Sequence, residues 1–155
     1  MIDPVSALLS SVQQALIESV RPKVADRKRL SSAADVIEYL IVAMANLPIE
    51  VVRVLFLDIQ NRLIRDEIVG RGSVSEAPIY PREILKRSLA LGATALILAH
   101  NHPSGDPEPS EADILATHRL ATAGAELGIA VHDHIIVGQA GWVSMRDNEQ
   151  FQDQG

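Results

Sequence analysis

The segment Thr94-Ala95-Leu96-Ile97-Leu98-Ala99-His100-Asn101-His102-Pro103-Ser104-Gly105-Asp106-Pro107-Glu108-Pro109-Ser110-Glu111-Ala112-Asp113 decides how this chain is read. It opens on an unbroken apolar run. A run this short, with no polar alternation, reads as a strand buried on both faces in a sheet covered by helices. The polar residues begin where the strand ends, which is where α/β proteins tend to place their sites. His100 and His102 are i and i+2 of an extended segment and therefore share a side. Pro103, Pro107 and Pro109 stiffen the loop that follows, and Gly105 lets it turn back. Ser110 opens a helix as its N-cap, and Asp113 falls in the first turn, so the helix can return a carboxylate to the two histidines.

Downstream of this segment the helix runs to about Leu127, closed by Gly128. Ile129 to Val137 reads as a strand, Gly138 to Gly141 as a turn, and Trp142 to Met145 as a last short strand. Upstream, Pro81 suits the first position of a helix ending at about Leu91, with Gly92 as its cap. Val51 to Asp58 and Arg62 to Val69 are strands joined through Gln60-Asn61 as an antiparallel hairpin, closed by Gly70 and Gly72. A helix from about Ser32 to Leu47 turns Val36, Tyr39, Leu40 and Ala43 inward and ends at Pro48. Pro4 to Val20 also has helical spacing, with Val5, Leu8, Leu9, Val12, Leu16 and Val20 on one stripe. The order predicts an α/β fold, a three-layer α/β/α sandwich with a mixed sheet. Three segments result: an N-terminal helix and basic linker over 1–31, the domain proper over 32–146, and a polar tail over 147–155.

The chain has 155 residues, one domain's worth, of which 47% are hydrophobic, enough for a core without cross-links. It has no cysteine, which excludes a disulfide scaffold and thiolate metal sites. No apolar run reaches the roughly 18 residues of a membrane span. The N-terminus lacks the basic start and apolar stretch of a signal peptide, so the expectation is a cytoplasmic protein without a membrane partner. The net charge is −6, yet residues 1–32 carry five basic and three acidic side chains. The cluster Arg21, Lys23, Arg27, Lys28 and Arg29 reads as a contact for an acidic partner or, more plainly, as a solvated linker. The acidic body argues against direct nucleic-acid binding by the domain and suits a cation.

Two neutral imidazoles and one carboxylate supply three ligands to zinc and leave a fourth tetrahedral position open, the pattern of a catalytic ion. Taken singly, each residue has a plainer explanation. Strand-end histidines are usually structural or exposed, Asp113 gains from the helix dipole, and Ser110 is a good cap by itself. Together on one stiffened loop, they favour a metal. A hydrolase also needs a non-ligating group to carry a proton. Glu67 is a candidate, in competition with Asp66, Glu76, Glu83, Glu108 and Glu111, and by chemistry alone it reads as a surface acid. Alternation puts Asp66 and Glu67 on opposite faces, so only one of them can face the site. His132, Asp133 and His134 are either a second zinc site or internal support for the first. Alternation separates Asp133 from both histidines and favours support. There is no His-Glu-x-x-His, no cysteine set for a nucleobase deaminase and no Gly-x-x-x-x-Gly-Lys loop.

His100-x-His102-Pro103, six residues, then Ser110-x-x-Asp113 is similar to the JAMM motif of JAB/MPN-domain metalloproteases. Asp66-Glu67-Ile68, Arg71-Gly72-Ser73, Tyr80-Pro81-Arg82-Glu83, Ala99 to Gly105 and Asp133 to Gly138 resemble the bacterial RadC family. The likeness covers about residues 32–146. It implies a JAB/MPN fold of cytidine-deaminase-like architecture, with His100, His102 and Asp113 as ligands of Zn2+. It implies Glu67 as the catalytic glutamate and Ser110 as the serine that helps hold the developing oxyanion. It also implies hydrolysis of peptide or isopeptide bonds in a peptide or protein substrate. JAB/MPN domains often pair as homodimers, and the Pro4–Val20 helix could serve in such a pair. Two non-enzymatic readings stand beside it: a RadC-like module of DNA repair or recombination, and an adapter that keeps the zinc as a structural element. RadC-like proteins usually carry an N-terminal helix-hairpin-helix-like region, where residues 1–31 offer one helix. Ser73 stands where the family often has threonine.

Overall fold

The apolar run forms a strand in which every residue from Ala95 to Asn101 is buried. The computed structural model describes residues 3–20, 32–72 and 78–148, the side chains of 13–20 excepted. In chain order the elements are α1 (Pro4–Val20), α2 (Ala33–Met44), β1 (Val51–Leu57), β2 (Leu63–Arg71), α3 (Pro81–Leu91), β3 (Ala95–Asn101), α4 (Glu111–Glu126), β4 (Ala130–Gly138) and β5 (Gly141–Ser144). The sheet order is β2-β1-β3-β4-β5, with β3 at its centre. β1 runs antiparallel to β2 and β3, β3 runs parallel to β4, and β4 runs antiparallel to β5. The sheet is therefore mixed.

Alternation along β3 divides the core in two. Ala95, Ile97 and Ala99 pack with Val36, Leu40 and Met44 of α2. Leu96 and Leu98 pack with Ile84 and Leu85 of α3 and Leu120 of α4. The result is the three-layer α/β/α arrangement, with helices on both faces. Each fully buried Leu, Ile or Met among them contributes roughly 1.5–3 kcal/mol.

Local chemistry sets the element ends. Ser32 accepts the N–H of Asp35 at 3.2 Å and starts α2. The helix stops at Met44, three residues short of the expected Leu47. Pro48 disfavours helical backbone at the residue before it, so the chain leaves the helix early. In the β1–β2 hairpin, Asn61 takes φ 56°. Asp58 Oδ1 accepts the N–H groups of Gln60 at 2.9 Å and Arg62 at 3.0 Å. β2 continues to Arg71, so Gly70 lies inside the strand and does not close it. A Cβ at Gly70 would meet the carbonyl oxygen of Pro78 at 2.7 Å. On α1, Val5, Leu8, Leu9 and Val12 are exposed. The basic linker, Ser73 and the tail from 149 lie outside the described residues. Among the described residues no helix is long and apolar enough to cross a membrane.

Asp66 lies opposite Leu55 and faces α2. There its Oδ2 accepts a 2.8 Å bond from Arg53 Nη1 and the hydroxyl proton of Tyr39. Burial, then the charge of Asp66, push the Tyr39 hydroxyl from 10.0 up to about 12. A raised folded pKa means that folding favours the protonated phenol. The contribution is complete below the unfolded value of 10.0 and is lost as pH rises through about 12. Chemical denaturation against pH checks this: the stability advantage of wild type over Tyr39→Phe shrinks across that window. A constant difference contradicts it.

Candidate metal centre

His100 lies opposite Val52 of β1. It shares a face with Leu96 and Leu98, so its ring points toward the α3/α4 layer, and it is fully buried. His102 follows two residues later and is half-buried. Its Nδ1 lies 2.8 Å from the carbonyl oxygen of Asp106. A carbonyl can only accept, so Nδ1 donates and a neutral His102 keeps Nε2 bare. The loop that supplies this carbonyl is fixed by backbone bonds. His102 N donates to Val137 O at 2.9 Å, Gly105 N to His102 O at 2.9 Å, and Ala140 N to Gly105 O at 3.1 Å. Gly105 takes φ 96°. Its carbonyl sits so close to β4 that a Cβ at Gly138 would meet it at 2.2 Å.

α4 delivers the carboxylate through its own N-terminus. Ser110 Oγ accepts the N–H of Asp113 at 3.1 Å, and Asp113 Oδ2 accepts the N–H of Ser110 at 2.8 Å. This capping box holds the Asp113 side chain in one orientation. The same Oδ2 faces His100 Nε2 at 3.3 Å and His102 Nε2 at 3.5 Å. The two Nε2 atoms are 2.8 Å apart. A tetrahedral ion with bonds of about 2.0–2.1 Å sets its donors about 3.4 Å apart. The three observed separations scatter around that value, and the donor set suits a divalent ion. Before an ion binds, burial raises the Asp113 carboxyl, but hydrogen bonds from protonated His100 and His102 outweigh it and hold the carboxyl well below the usual range. His102 is raised, chiefly by its hydrogen bond to Asp113.

A fourth residue belongs to this cluster. Glu50 precedes β1 by one position, on the face of Val52, and is 5% exposed. Its Oε1 lies 3.8 Å from His100 Nε2. One ligand atom from each of Glu50, His100, His102 and Asp113 lies within 4.8 Å of the others. Among the described residues this is the one such group. Asn101 fixes the approach of Glu50. Its Oδ1 accepts the N–H of Val51 at 2.9 Å, and its Nδ2 donates to Ile49 O at 2.9 Å. The Glu50 carbonyl in turn accepts the N–H of Gly72 at 2.9 Å.

Glu67, the glutamate expected at the site, lies elsewhere. It sits opposite Val54 of β1, on the same sheet face as His100. Two strands across and two residues along separate their Cα atoms by roughly 12 Å. Arg87 of α3 holds it, with Nε at 2.9 Å and Nη2 at 2.5 Å from its two oxygens. Glu50, and not Glu67, is the glutamate that the structure brings beside His100, His102 and Asp113. Its sequence signal, an acid directly before a strand of seven buried residues, is weak until the pairing of β1 with β3 is known.

The trio at 132–134 divides three ways. His132 Nε2 contacts Asn61 Oδ1 at 3.0 Å. Asp133 accepts from Ser144 Oγ at 2.6 Å and from the N–H groups of His134 at 2.7 Å and Arg146 at 3.2 Å. His134 alone reaches the centre, with Nε2 2.6 Å from His100 Nδ1. Burial, then the neighbouring His100 ring, push its pKa well below the ordinary 6.5.

The close contact at Gly138 yields a test of the loop's role. Gly138→Ala displaces Gly105 and with it the carbonyl that orients His102. Zinc affinity, measured by competition with a chromophoric chelator, is expected to fall by about 10–100-fold. An unchanged affinity in folded Gly138→Ala contradicts this account of the loop.

A family model described as a RadC-like JAB domain matches residues 30–150. A UPF0758 protein of Rhodobacter capsulatus is 48% identical over 138 residues, covering 89% of this chain. The chain spans 64% of that relative's length. With the motif residues brought together at the end of β3 and the family match extending over most of its length, the chain belongs to the RadC-like JAB domain family.

Proposed function

We propose that this chain is a zinc-dependent hydrolase of peptide or isopeptide bonds in which Glu50 carries the proton. The observation that supports this reading is the Glu50 carboxylate, 3.8 Å from His100 Nε2 at the edge of the His100, His102 and Asp113 donor set. His100, His102 and Asp113 hold the ion, and two imidazoles with one carboxylate are a donor set that zinc takes in catalytic sites. When bound, the ion supplies Lewis acidity and makes water acidic enough to ionise near neutral pH. The choice of peptide and isopeptide bonds follows from the motif's likeness to metalloproteases.

The chain's own groups divide the remaining work. Glu50 takes the proton released as water adds to the carbonyl carbon and returns it to the departing nitrogen. Asn101 bonds to the backbone on both sides of Glu50, which keeps its carboxylate against the ligands. Ser110 spends an oxygen lone pair on the helix cap, and its hydroxyl proton remains available. That proton donates to the carbonyl oxygen as negative charge develops there. Glu67, engaged with Arg87, takes no part in the chemistry.

Metal-loaded wild type and variants, assayed on quenched-fluorescent peptides and isopeptide-linked conjugates, test the assignment. Glu50→Gln is expected to lose about 10²–10⁴-fold in rate while still binding zinc. Glu67→Gln is expected to keep the wild-type rate. Wild-type activity in Glu50→Gln, or no hydrolysis by zinc-loaded wild type of any amide conjugate tried, overturns the proposal.

A further inference from the structure

We infer that Thr117 and His134 act as positioning residues that fix the tautomer of His100, through a hydrogen-bonded chain running from the backbone of one ligand to the ring of another. The inference rests on the reading that His100 holds a metal ion, and concerns how its Nε2 is kept ready to do so.

The protons along this chain can be assigned one by one. Thr117, in α4, has its Oγ1 2.6 Å from the carbonyl oxygen of Asp113. Both atoms are oxygens and a carbonyl carries no proton, so the threonine hydroxyl must donate. Met145 Sδ, at 3.8 Å, is a weak acceptor and does not compete. The same Oγ1 lies 2.6 Å from His134 Nδ1. Its one proton is already committed, so it must accept, and Nδ1 of His134 carries a proton. His134 is fully buried, with its ring nitrogens set against Thr117 and His100, an environment that disfavours a second proton and leaves Nε2 bare. That bare Nε2 lies 2.6 Å from His100 Nδ1, which must therefore donate. A neutral His100 with its proton on Nδ1 presents a lone pair at Nε2, the atom that faces Asp113 and His102.

The chain starts at the main chain of Asp113 and ends at the ring beside that residue's own carboxylate. It ties α4, β4 and β3 together around the centre. Reversing one link reverses the rest. Without the Thr117 hydroxyl, nothing favours a proton on Nδ1 of His134. A proton on its Nε2 would point at His100 Nδ1 and send the His100 proton to Nε2, where it blocks ligation. Hydrogen bonds of this kind, from a ligating histidine to a partner behind it, typically govern 10–100-fold in metal affinity, by order of magnitude.

Two measurements test the inference. Nitrogen-15 imidazole shifts of zinc-loaded wild type are expected to show His134 protonated at Nδ1 and bare at Nε2. Zinc affinity is expected to fall by about 10–100-fold in Thr117→Val, which keeps the side chain's shape, and to recover in Thr117→Ser, which restores the hydroxyl. His134 protonated at Nε2, or wild-type affinity in Thr117→Val, overturns the inference and leaves the metal reading standing. Recovery in Thr117→Ser separates a hydroxyl effect from a packing effect, and its absence counts against the chain. A wild type that binds no zinc overturns the metal reading and this inference with it. The tautomer readout needs no variant to fold.

Discussion

The antiparallel register that sets Val52 opposite His100 is the constraint on which the centre depends. Alternation then does the placing. His100 follows Leu96 and Leu98 on one face, and residue 50 follows Val54 and Val52 on that face of the neighbouring strand. A slip of one residue would turn Glu50 toward α2 and leave the histidines without it. Asn101 guards against that slip. It sits between the two histidines, points the other way, and bonds to the backbone on both sides of Glu50. One side chain thus couples strand register to the geometry of the site.

The carboxylate of the donor set is placed by a different economy. Asp113 is held by the capping box that any helix start of this kind can form, and the same oxygen faces both histidines. Helix initiation and the orientation of the Asp113 carboxylate toward the histidines are one arrangement of atoms. The structural explanation of Asp113 and Ser110 and the functional one therefore do not compete. The loop between β3 and α4 follows the same pattern, since the Asp106 carbonyl that closes a turn also orients His102.

What was legible in the sequence follows from range. The apolar run of β3, Pro81 and Gly92 at the ends of α3, and Ser110 at the start of α4 act through neighbours a few residues away, and each falls where the sequence places it. His100, His102 and Asp113 were legible because one short loop carries all three. Glu50 was not, because Val51 and Asn101 meet across fifty residues of chain, and their pairing cannot be read from either segment alone. Glu67 shows the limit of alternation. Asp66 and Glu67 do face opposite sides, and Glu67 is on the side of the histidines. Its lateral position, two strands from His100, depends on sheet order, which residue patterns do not state. The early end of α2 and the passage of β2 through Gly70 are smaller misses. They come from the residue before Pro48 and from the close contact with Pro78.

Anomalous diffraction from zinc-loaded crystals locates the ion. One zinc is expected on His100 Nε2, His102 Nε2 and Asp113, with the Glu50 carboxylate beside it and Glu67 still on Arg87. A zinc held by other residues, or a Glu67 carboxylate in the place assigned to Glu50, would contradict this arrangement.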